Sequence, residues 1–239
     1  MSFLTHSDQT DGNSVEHGEL FYSLIKLNKA KTIVEIGVDW GSTTRYLCQA
    51  ASEIDGKVYG YDGWGDYGPN LSWHHSGSKE TVEELLKTNG FTNFELTRVN
   101  TLTPEFKELF NSKHSEVDFA FIDAEHSYEG IKSDFDIVYP KLSSTGIIAF
   151  HDTLRIDGCR EFVIDLRAKY NDGTFDVVDF PFGNQNRRVG VTLLVKRTYP
   201  LLGLEVDEIC GSISNPRDIY LKEQTWFHEQ IMESNSSTK

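Results

Sequence analysis

The sequence predicts an α/β fold built on a doubly wound, mostly parallel, seven-stranded sheet. Short apolar runs alternate along the chain with segments of helical periodicity, which is the pattern of a sheet covered on both faces. The run at 117–123, VDFAFID, is apolar almost throughout, as expected for a central parallel strand. The last two runs, 174–180 and 189–196, have no helical segment between them and predict an antiparallel edge strand.

The first half of the chain predicts an N-terminal helix followed by strand–helix pairs. Residues 15–28 place Leu20, Phe21, Leu24 and Ile25 at helical spacing. A β-branched run at 31–37, which ends in glycine, is the first strand. The same alternation predicts strands at 57–62 and 93–100 and helices at 42–52, 78–88 and 104–111.

The second half continues this alternation up to the closing pair of strands. Strand 117–123 precedes a helix at 127–142, a strand at 146–151 and a helix at 158–170, and a turn around Asn184 joins the final pair. We expect residues 1–14 to form a flexible N-terminus, 15–200 the folded domain and 201–239 a C-terminal extension with a helix at 220–232. Whether this extension caps a site or mediates homodimerisation stays open.

Composition narrows the class of protein. The chain has 239 residues and a net charge of −14, with 37 acidic residues against 23 lysines and arginines. No basic cluster exceeds the Arg187-Arg188 pair, so a nucleic-acid partner is disfavoured. Three widely spaced cysteines suit a reduced protein. We see no apolar leader after Met1 and no apolar stretch of membrane-spanning length, and therefore expect a cytoplasmic protein with no membrane partner.

A glycine-bearing loop follows the first predicted strand. Gly37 and Gly41 frame the turn, and glycine there permits positive φ and close approach of a ligand to the backbone. Ser42 or Thr43 is placed to cap the next helix. The loop lacks a third glycine and a following Gly-Lys-Ser/Thr, which disfavours a dinucleotide or a triphosphate. An ordinary strand-to-helix turn is the alternative interpretation.

Polar residues at the neighbouring strand ends favour a nucleoside without phosphates. Asp62 ends the second strand, where an acid can accept hydrogen bonds from two ribose hydroxyls. Glu35 lies just inside the first strand and could receive an ammonium group or a bridging water. Asn100 ends the third strand and could recognise an adenine edge. Asp62 as a simple turn-forming acid remains an alternative.

A second polar cluster follows the fourth and fifth strands. Asp123 and His126 lie three residues apart across a strand-to-helix turn, and His151 and Asp152 end the next strand. Carboxylates at adjacent strand ends can share a hard divalent cation, which would lower the pKa of an acceptor hydroxyl. Asp123 as a helix cap, His126 as a surface residue and His151 as a packed histidine are the plainer interpretations. 

Two long segments resemble a known family. EHGELFYSLIKLNKAKTIVEIGVDWGSTT with VYGYDGW, and VDFAFIDAEHSYEGIKSDFDIVYPKLSSTGIIAFHDT, resemble the two halves of class I S-adenosylmethionine-dependent methyltransferases. Among these, small-molecule O-methyltransferases of the catechol and caffeoyl-CoA type and the sugar- and antibiotic-tailoring group are most similar. The resemblance covers about residues 16–196. It implies a Rossmann-like fold, S-adenosylmethionine as cofactor and a small-molecule acceptor.

The resemblance also implies roles for the second cluster. Asp123 matches the first metal ligand and a cofactor contact, His126 stands where the family has a lysine general base, and Asp152 matches the second metal ligand. Thr153 replaces an asparagine ligand, which weakens the expectation of Mg²⁺. Glu35, Gly37, Gly41, Ser42, Asp62 and Asn100 form the expected cofactor site.

We therefore expect methyl transfer to a hydroxyl of a sugar or phenol, with the metal optional. A metal-independent N-methyltransferase and a non-catalytic nucleoside-binding domain are the alternatives. The long loop at 63–77 is rich in aromatic residues and histidine, and is a candidate lid or acceptor pocket. Packing of this loop on its own domain is the alternative there.

Overall fold

The computed structural model describes residues 14–65, 77–184 and 187–197. The predictions for the flexible N-terminus, for most of the loop at 63–77, and for the extension and helix after residue 200 lie outside these ranges. Within them, no helix combines the length and the apolar character that crossing a bilayer requires.

Six α-helices and nine strands make up the described part of the chain. The helices are α1 Ser14–Asn28, α2 Ser42–Ser52, α3 Lys79–Thr88, α4 Pro104–Lys113, α5 Tyr128–Val138 and α6 Asp157–Asp165. The strands are β1 Thr32–Ile36, β2 Lys57–Asp62, β3 Phe94–Arg98, β4 Val117–Ile122, β5 Leu142–His151, β6 Phe175–Phe180, β7 Gly183–Asn184, β8 Arg187–Arg188 and β9 Val191–Lys196.

Seven strands form one sheet in the order β3-β2-β1-β4-β5-β9-β6. Strands β1 to β5 are parallel, and β9 pairs antiparallel with both β5 and β6. The predicted fold class, with its antiparallel edge, is therefore confirmed. The order reverses between β1 and β4, and in open α/β sheets ligands bind in the crevice at such a reversal.

Several element boundaries differ from the sequence prediction, and two of them lie between α5 and β5. The helix expected at 127–142 ends at Val138 and continues as a 3-10 turn at Tyr139–Lys141, because Pro140 cannot donate a helical hydrogen bond. Strand β5 begins at Leu142, four residues earlier than expected. Its register with β4 shifts between Val117 and Phe119, which accommodates the extra residues before Gly146.

The central strands are buried on both faces because helices cover each side. On one side α1, α2 and α3 pack against alternate strand residues that include Phe119, Phe121 and Ala149. On the other side α4, α5 and α6 pack against Ala120, Ile122 and their neighbours. The polar strand ends therefore open at one edge of the sheet, where the chain leaves the apolar core.

Candidate active site

The loop between β1 and α2 is shaped by its two glycines. Gly37 and Gly41 have φ of 93° and 75°, in the left-handed region that favours glycine. A Cβ atom at Gly37 would overlap the backbone carbonyl of Asp123 at the end of β4. Gly41 is the N-cap of α2, with no capping side chain, so neither Ser42 nor Thr43 fills that role. The loop thus passes in backbone contact with the polar cluster.

Asp62 holds this loop in place. One carboxylate oxygen accepts hydrogen bonds from the backbone N–H groups of Val38 and Asp39 at 2.8 and 2.9 Å. The other oxygen accepts from the N–H of Trp64 at 2.6 Å. A carboxylate can accept about four hydrogen bonds, so these contacts are compatible with the ribose contact predicted from the sequence. The bond from Trp64 agrees with the alternative interpretation of Asp62 as a turn-forming acid, whereas the bonds from Val38 and Asp39 give it a role in the glycine loop that the sequence did not reveal.

Glu35 lies beneath the loop. Its side chain is 1% exposed and accepts a hydrogen bond of 2.6 Å from the Thr44 hydroxyl. Burial raises the pKa of Glu35 well above its usual value, although the Thr44 bond opposes this. Glu35 therefore supports α2 from below, and direct contact with a cofactor stays a prediction.

Asn100 follows β3 at the same edge of the sheet. Its side-chain oxygen accepts from the backbone N–H of Leu102 at 3.0 Å, which shapes the turn before α4. Leu102 is 48% exposed at this edge. The location agrees with the adenine contact predicted from the sequence, and that contact itself stays a prediction.

Asp123 and His126 are in direct contact. His126 Nε2 lies 3.0 Å from Asp123 Oδ1 and 3.8 Å from Asp152 Oδ2. The helix cap of α5 is Ser127, whose hydroxyl accepts from Gly130 N–H at 3.0 Å, and this leaves Asp123 available for other partners. The structure therefore disfavours the interpretation of Asp123 as a simple cap.

His151 completes the contacts of Asp123. Its Nδ1 lies 2.9 Å from the same oxygen, Asp123 Oδ1, and 3.8 Å from Asp152 Oδ2. Two imidazoles therefore converge on one carboxylate oxygen. Both contacts are N–H donations when Asp123 is ionised, because an ionised carboxylate only accepts.

Asp152 is the strained member of the cluster. It is 6% exposed, and its φ of 54° is unusual for a residue other than glycine. Its Oδ1 is buried and has no hydrogen-bond partner among the described residues. Backbone strain together with an unsatisfied carboxylate oxygen indicates a position kept for a ligand.

The Thr153 side chain contacts residues outside the polar cluster of Asp123, His126, His151 and Asp152. Its hydroxyl lies 2.9 Å from that of Thr192 on β9, which in turn donates to Asp179 at 2.7 Å. The third side chain that could offer a metal-ligand atom beside the two acids is therefore His126, not Thr153. Ligand atoms of Asp123, His126 and Asp152 all lie within 4.8 Å of one another.

The cluster shifts the pKa values of its members in opposite directions. Burial works to raise the pKa of Asp123, but the charge of His151 and the hydrogen bonds from both imidazoles outweigh it and hold this pKa well below its usual value. Burial works to lower the pKa of His126, yet the bond to Asp123 and the nearby acids raise it. Burial, above all, raises the pKa of Asp152. Separated pKa values in one cleft are typical of acid–base sites.

His17 is a buried neighbour of the site that the sequence analysis did not single out. Its Nε2 lies 3.0 Å from the Thr43 hydroxyl in the first turn of α2, and its ring contacts that of His151 edge-on, with centroids 4.9 Å apart. Only a long-range packing of α1 on α2 produces this arrangement. The sole local signal is the glycine beside it, Gly18, which lies against the ring of Tyr46.

Comparison with known families yields one match of functional value. A family model described as a methyltransferase domain matches residues 34–153. The matched segment runs from β1 to the residue after Asp152, so it includes the glycine loop and both acids of the cluster. This is half of the chain.

A curated protein that resembles this chain shares only part of its sequence. The protein named uncharacterized protein y4gI from Sinorhizobium fredii is 28% identical over 145 residues, which are 58% of this chain. The chain spans about 15% of the length of that curated relative.

Among solved structures, the O-methyltransferase TomG from Streptomyces achromogenes, in complex with SAM and involved in tomaymycin synthesis, has a TM-score of 0.62 at 17% identity. The alignment covers 80% of this chain and 85% of TomG. The O-methyltransferase from Bacillus cereus, in complex with SAH, also gives 0.62, at 16% identity over 79% of this chain and 84% of that one. These similarities support the same fold.

Proposed function

The chain belongs to the methyltransferase domain family, and from this premise we propose that it transfers a methyl group from S-adenosylmethionine to a hydroxyl of a small molecule. The observation that carries the proposal is the Asp123–His126 pair, which lies beside the strained Asp152 and against the Gly37 turn. This arrangement supports a base next to a cradle for a nucleoside. TomG and the Bacillus cereus enzyme, which share the fold, are O-methyltransferases with SAM or SAH bound.

The cofactor would lie along the loop between β1 and α2. The backbone at Gly37 and Gly41 allows close approach, Ser42 lies in the first turn of α2, and Asp62 and Asn100 follow the neighbouring strands. The ribose hydroxyls of the cofactor would bond to Asp62. Asp123, whose backbone touches the Gly37 turn, would face the reacting end of the cofactor.

The acceptor hydroxyl would lose its proton to His126. Asp123 Oδ1 accepts a hydrogen bond from the Nε2–H group of His126, with 3.0 Å between the oxygen and the nitrogen. The neutral imidazole therefore keeps its lone pair on Nδ1, and that atom is the base. The acceptor oxygen then attacks the methyl carbon as the carbon–sulfur bond breaks. The bonding electrons move to sulfur, which leaves adenosylhomocysteine, and the charge of Asp123 stabilises the imidazolium.

A divalent cation such as Mg²⁺ suits the same cluster. Asp123 and Asp152 would hold it, and the unpartnered oxygen of Asp152 supports this assignment. When bound, such a cation would lower the pKa of the acceptor hydroxyl. 

We further infer a single methyltransferase domain over residues 15–200, with 201–239 as an extension and no nucleic-acid or membrane partner. The strongly acidic net charge of −14 supports the absence of a nucleic-acid partner. The buried free thiols of Cys48 and Cys159 suit a reducing compartment such as the cytoplasm. 

The test combines calorimetry with turnover. Adenosylhomocysteine should bind the wild-type protein, and a panel of hydroxylated sugars and phenols should contain an acceptor that yields adenosylhomocysteine from S-adenosylmethionine. Asp123→Asn should abolish turnover, whereas the matched control Asp118→Asn, at the opposite end of β4, should not. Binding without turnover on any acceptor would favour a nucleoside-binding domain, and lack of binding would reject the proposal.

A further inference from the structure

His17 occupies a position where two helices meet closely. It lies in the first turn of α1 and is 3% exposed. At the adjacent Gly18, an added Cβ atom would overlap the ring of Tyr46 on α2. This close approach brings the His17 imidazole to the Thr43 hydroxyl, at 3.0 Å.

The other side of His17 contacts the polar cluster. Its ring meets that of His151 at an angle of 61°, and both rings pack against Phe121 with centroids 5.7 and 5.8 Å away. His151 in turn holds Asp123 Oδ1 through Nδ1 at 2.9 Å. An unbroken series of contacts therefore connects the first turn of α2 with the carboxylate that orients His126.

We propose that His17 is a positioning residue for the methyl-transfer centre, a proposal that rests on the proposed function. His17 braces the His151 ring, His151 fixes the carboxylate of Asp123, and Asp123 sets the tautomer of His126. The bond to Thr43 ties this brace to the helix that follows the cofactor loop. The orientation of the base is thereby linked to the position of α2.

Packing alone does not explain an imidazole at position 17. A phenyl ring would fill the same space between Phe21, Phe121 and His151, whose rings all contact His17. It would leave the Thr43 hydroxyl, which is 8% exposed, without this partner. Leaving a buried hydroxyl unsatisfied is unfavourable, so a polar ring here serves the contact with α2.

The decisive measurement is nuclear magnetic resonance of the histidine side chains in metal-free protein. At a pH of about 9, where imidazoles are neutral, the wild type should show His151 with its proton on Nδ1 and His126 with its proton on Nε2. His17→Ala should abolish this fixed tautomer of His151. His17→Phe and Thr43→Val, which keep the packing, should each give a smaller change of the same kind.

Kinetics provides the second readout. His17→Ala should lower kcat by about 10–100-fold, as loss of a supporting contact does, with the Kd of adenosylhomocysteine changed less than about threefold. His114→Phe is the matched control, because His114 is also 3% exposed and bonds Tyr61 away from the cluster. It should lower stability without altering the tautomer of His151 or kcat.

An unchanged His151 tautomer in His17→Ala would overturn the proposal, and so would an equal change in His114→Phe. Failure of the proposed function looks different, because the wild type would then bind no adenosylhomocysteine or would methylate no acceptor. The resonance experiment needs neither cofactor nor acceptor and therefore reports on the brace in either case.

Discussion

The acids at the strand ends have different hydrogen-bond partners in the two halves of the sheet. In the half formed by β1 and β2, Glu35 and Asp62 are bonded to a hydroxyl and to backbone N–H groups of the loop. In the half formed by β4 and β5, Asp123 is held by two imidazoles and Asp152 keeps a buried oxygen without a partner among the described residues. The first pair shapes a cradle, whereas the second pair retains the capacity to react or bind.

The largest expected effect concerns the reacting half. His126→Ala removes the proposed base and should lower kcat by roughly 10²–10⁴-fold. Adenosylhomocysteine affinity, measured by calorimetry, should stay close to that of the wild type. Normal kcat in the variant would show that the reacting half lacks its assigned base.

The pH dependence of kcat sharpens this expectation. The base must be neutral to act, and the acids around it raise the pKa of His126 above its usual value. Activity should therefore be lost on the acid side, and in metal-free protein nuclear magnetic resonance should show His126 titrating with a midpoint above about 6.5. His126→Ala should lose this limb from its residual activity.

A smaller effect is expected from the cradle half. Asp62→Ala removes charge-assisted bonds to three backbone N–H groups and should weaken adenosylhomocysteine binding by about 1.5–3 kcal/mol. Asp62→Asn keeps one acceptor oxygen, and its affinity for adenosylhomocysteine should lie between those of Asp62→Ala and the wild type. If both bind like the wild type in calorimetry, the loop does not depend on Asp62 and the contrast between the halves fails.

The metal prediction concerns the free oxygen of Asp152. Treatment with EDTA should suppress turnover, and Mg²⁺ or Mn²⁺ should restore it. Asp152→Asn replaces a charged donor with a neutral one and should weaken Mn²⁺ binding by about tenfold or more. Full turnover in metal-stripped buffer would leave the two acids as orienting groups.

Most of the difference between the two halves could be predicted from the sequence, because each strand is recognised from a short local run of apolar residues. Apolar runs place each strand, and the carboxyl ends of parallel strands share an edge, so Asp62, Asp123 and Asp152 are brought together by topology alone. The sequence could not reveal which partner each carboxylate takes. That depends on backbone N–H directions in the loop for Asp62 and, for Asp123, on the distant His151 as well as the nearby His126.

The contacts of His17 and Thr153 could not be predicted from the sequence, for a related reason. Each depends on a pairing between elements far apart in the chain, α1 with α2 for His17 and β5 with β9 for Thr153. Neither residue lies in a periodic pattern that would distinguish a site neighbour from a core residue. Such contacts follow from packing angles, which the spacing of residues does not encode.

The smallest effect concerns a buried acid outside both halves. Asp134 on α5 is 0% exposed, and neither of its carboxylate oxygens has a hydrogen-bond partner among the described residues. Burial, and to a lesser degree the charge of Glu125, raise its pKa well above the usual value. Because the folded pKa is the higher one, stability falls as the pH rises above the unfolded value of about 3.9.

Asp134→Asn should therefore stabilise the protein at neutral pH by about 1 kcal/mol, and the gain should shrink towards pH 4. Denaturant unfolding at several pH values measures it. The exposed neighbour Asp136→Asn is the control on the same helix and should show no such trend. A constant difference across the pH range would mean that folding does not raise the pKa of Asp134.

The contact between Gly37 and the Asp123 backbone limits how this enzyme can be re-engineered. The backbone N–H of Asp123 donates to the carbonyl of Ile36 at 2.8 Å, and there is no room for a side chain at residue 37. In the proposed function, the cofactor and the acceptor would share this backbone contact as a common wall of their two sites. Libraries aimed at a new acceptor can vary the loops on the far side of the acceptor, but changes at this wall would alter cofactor affinity and acceptor choice together.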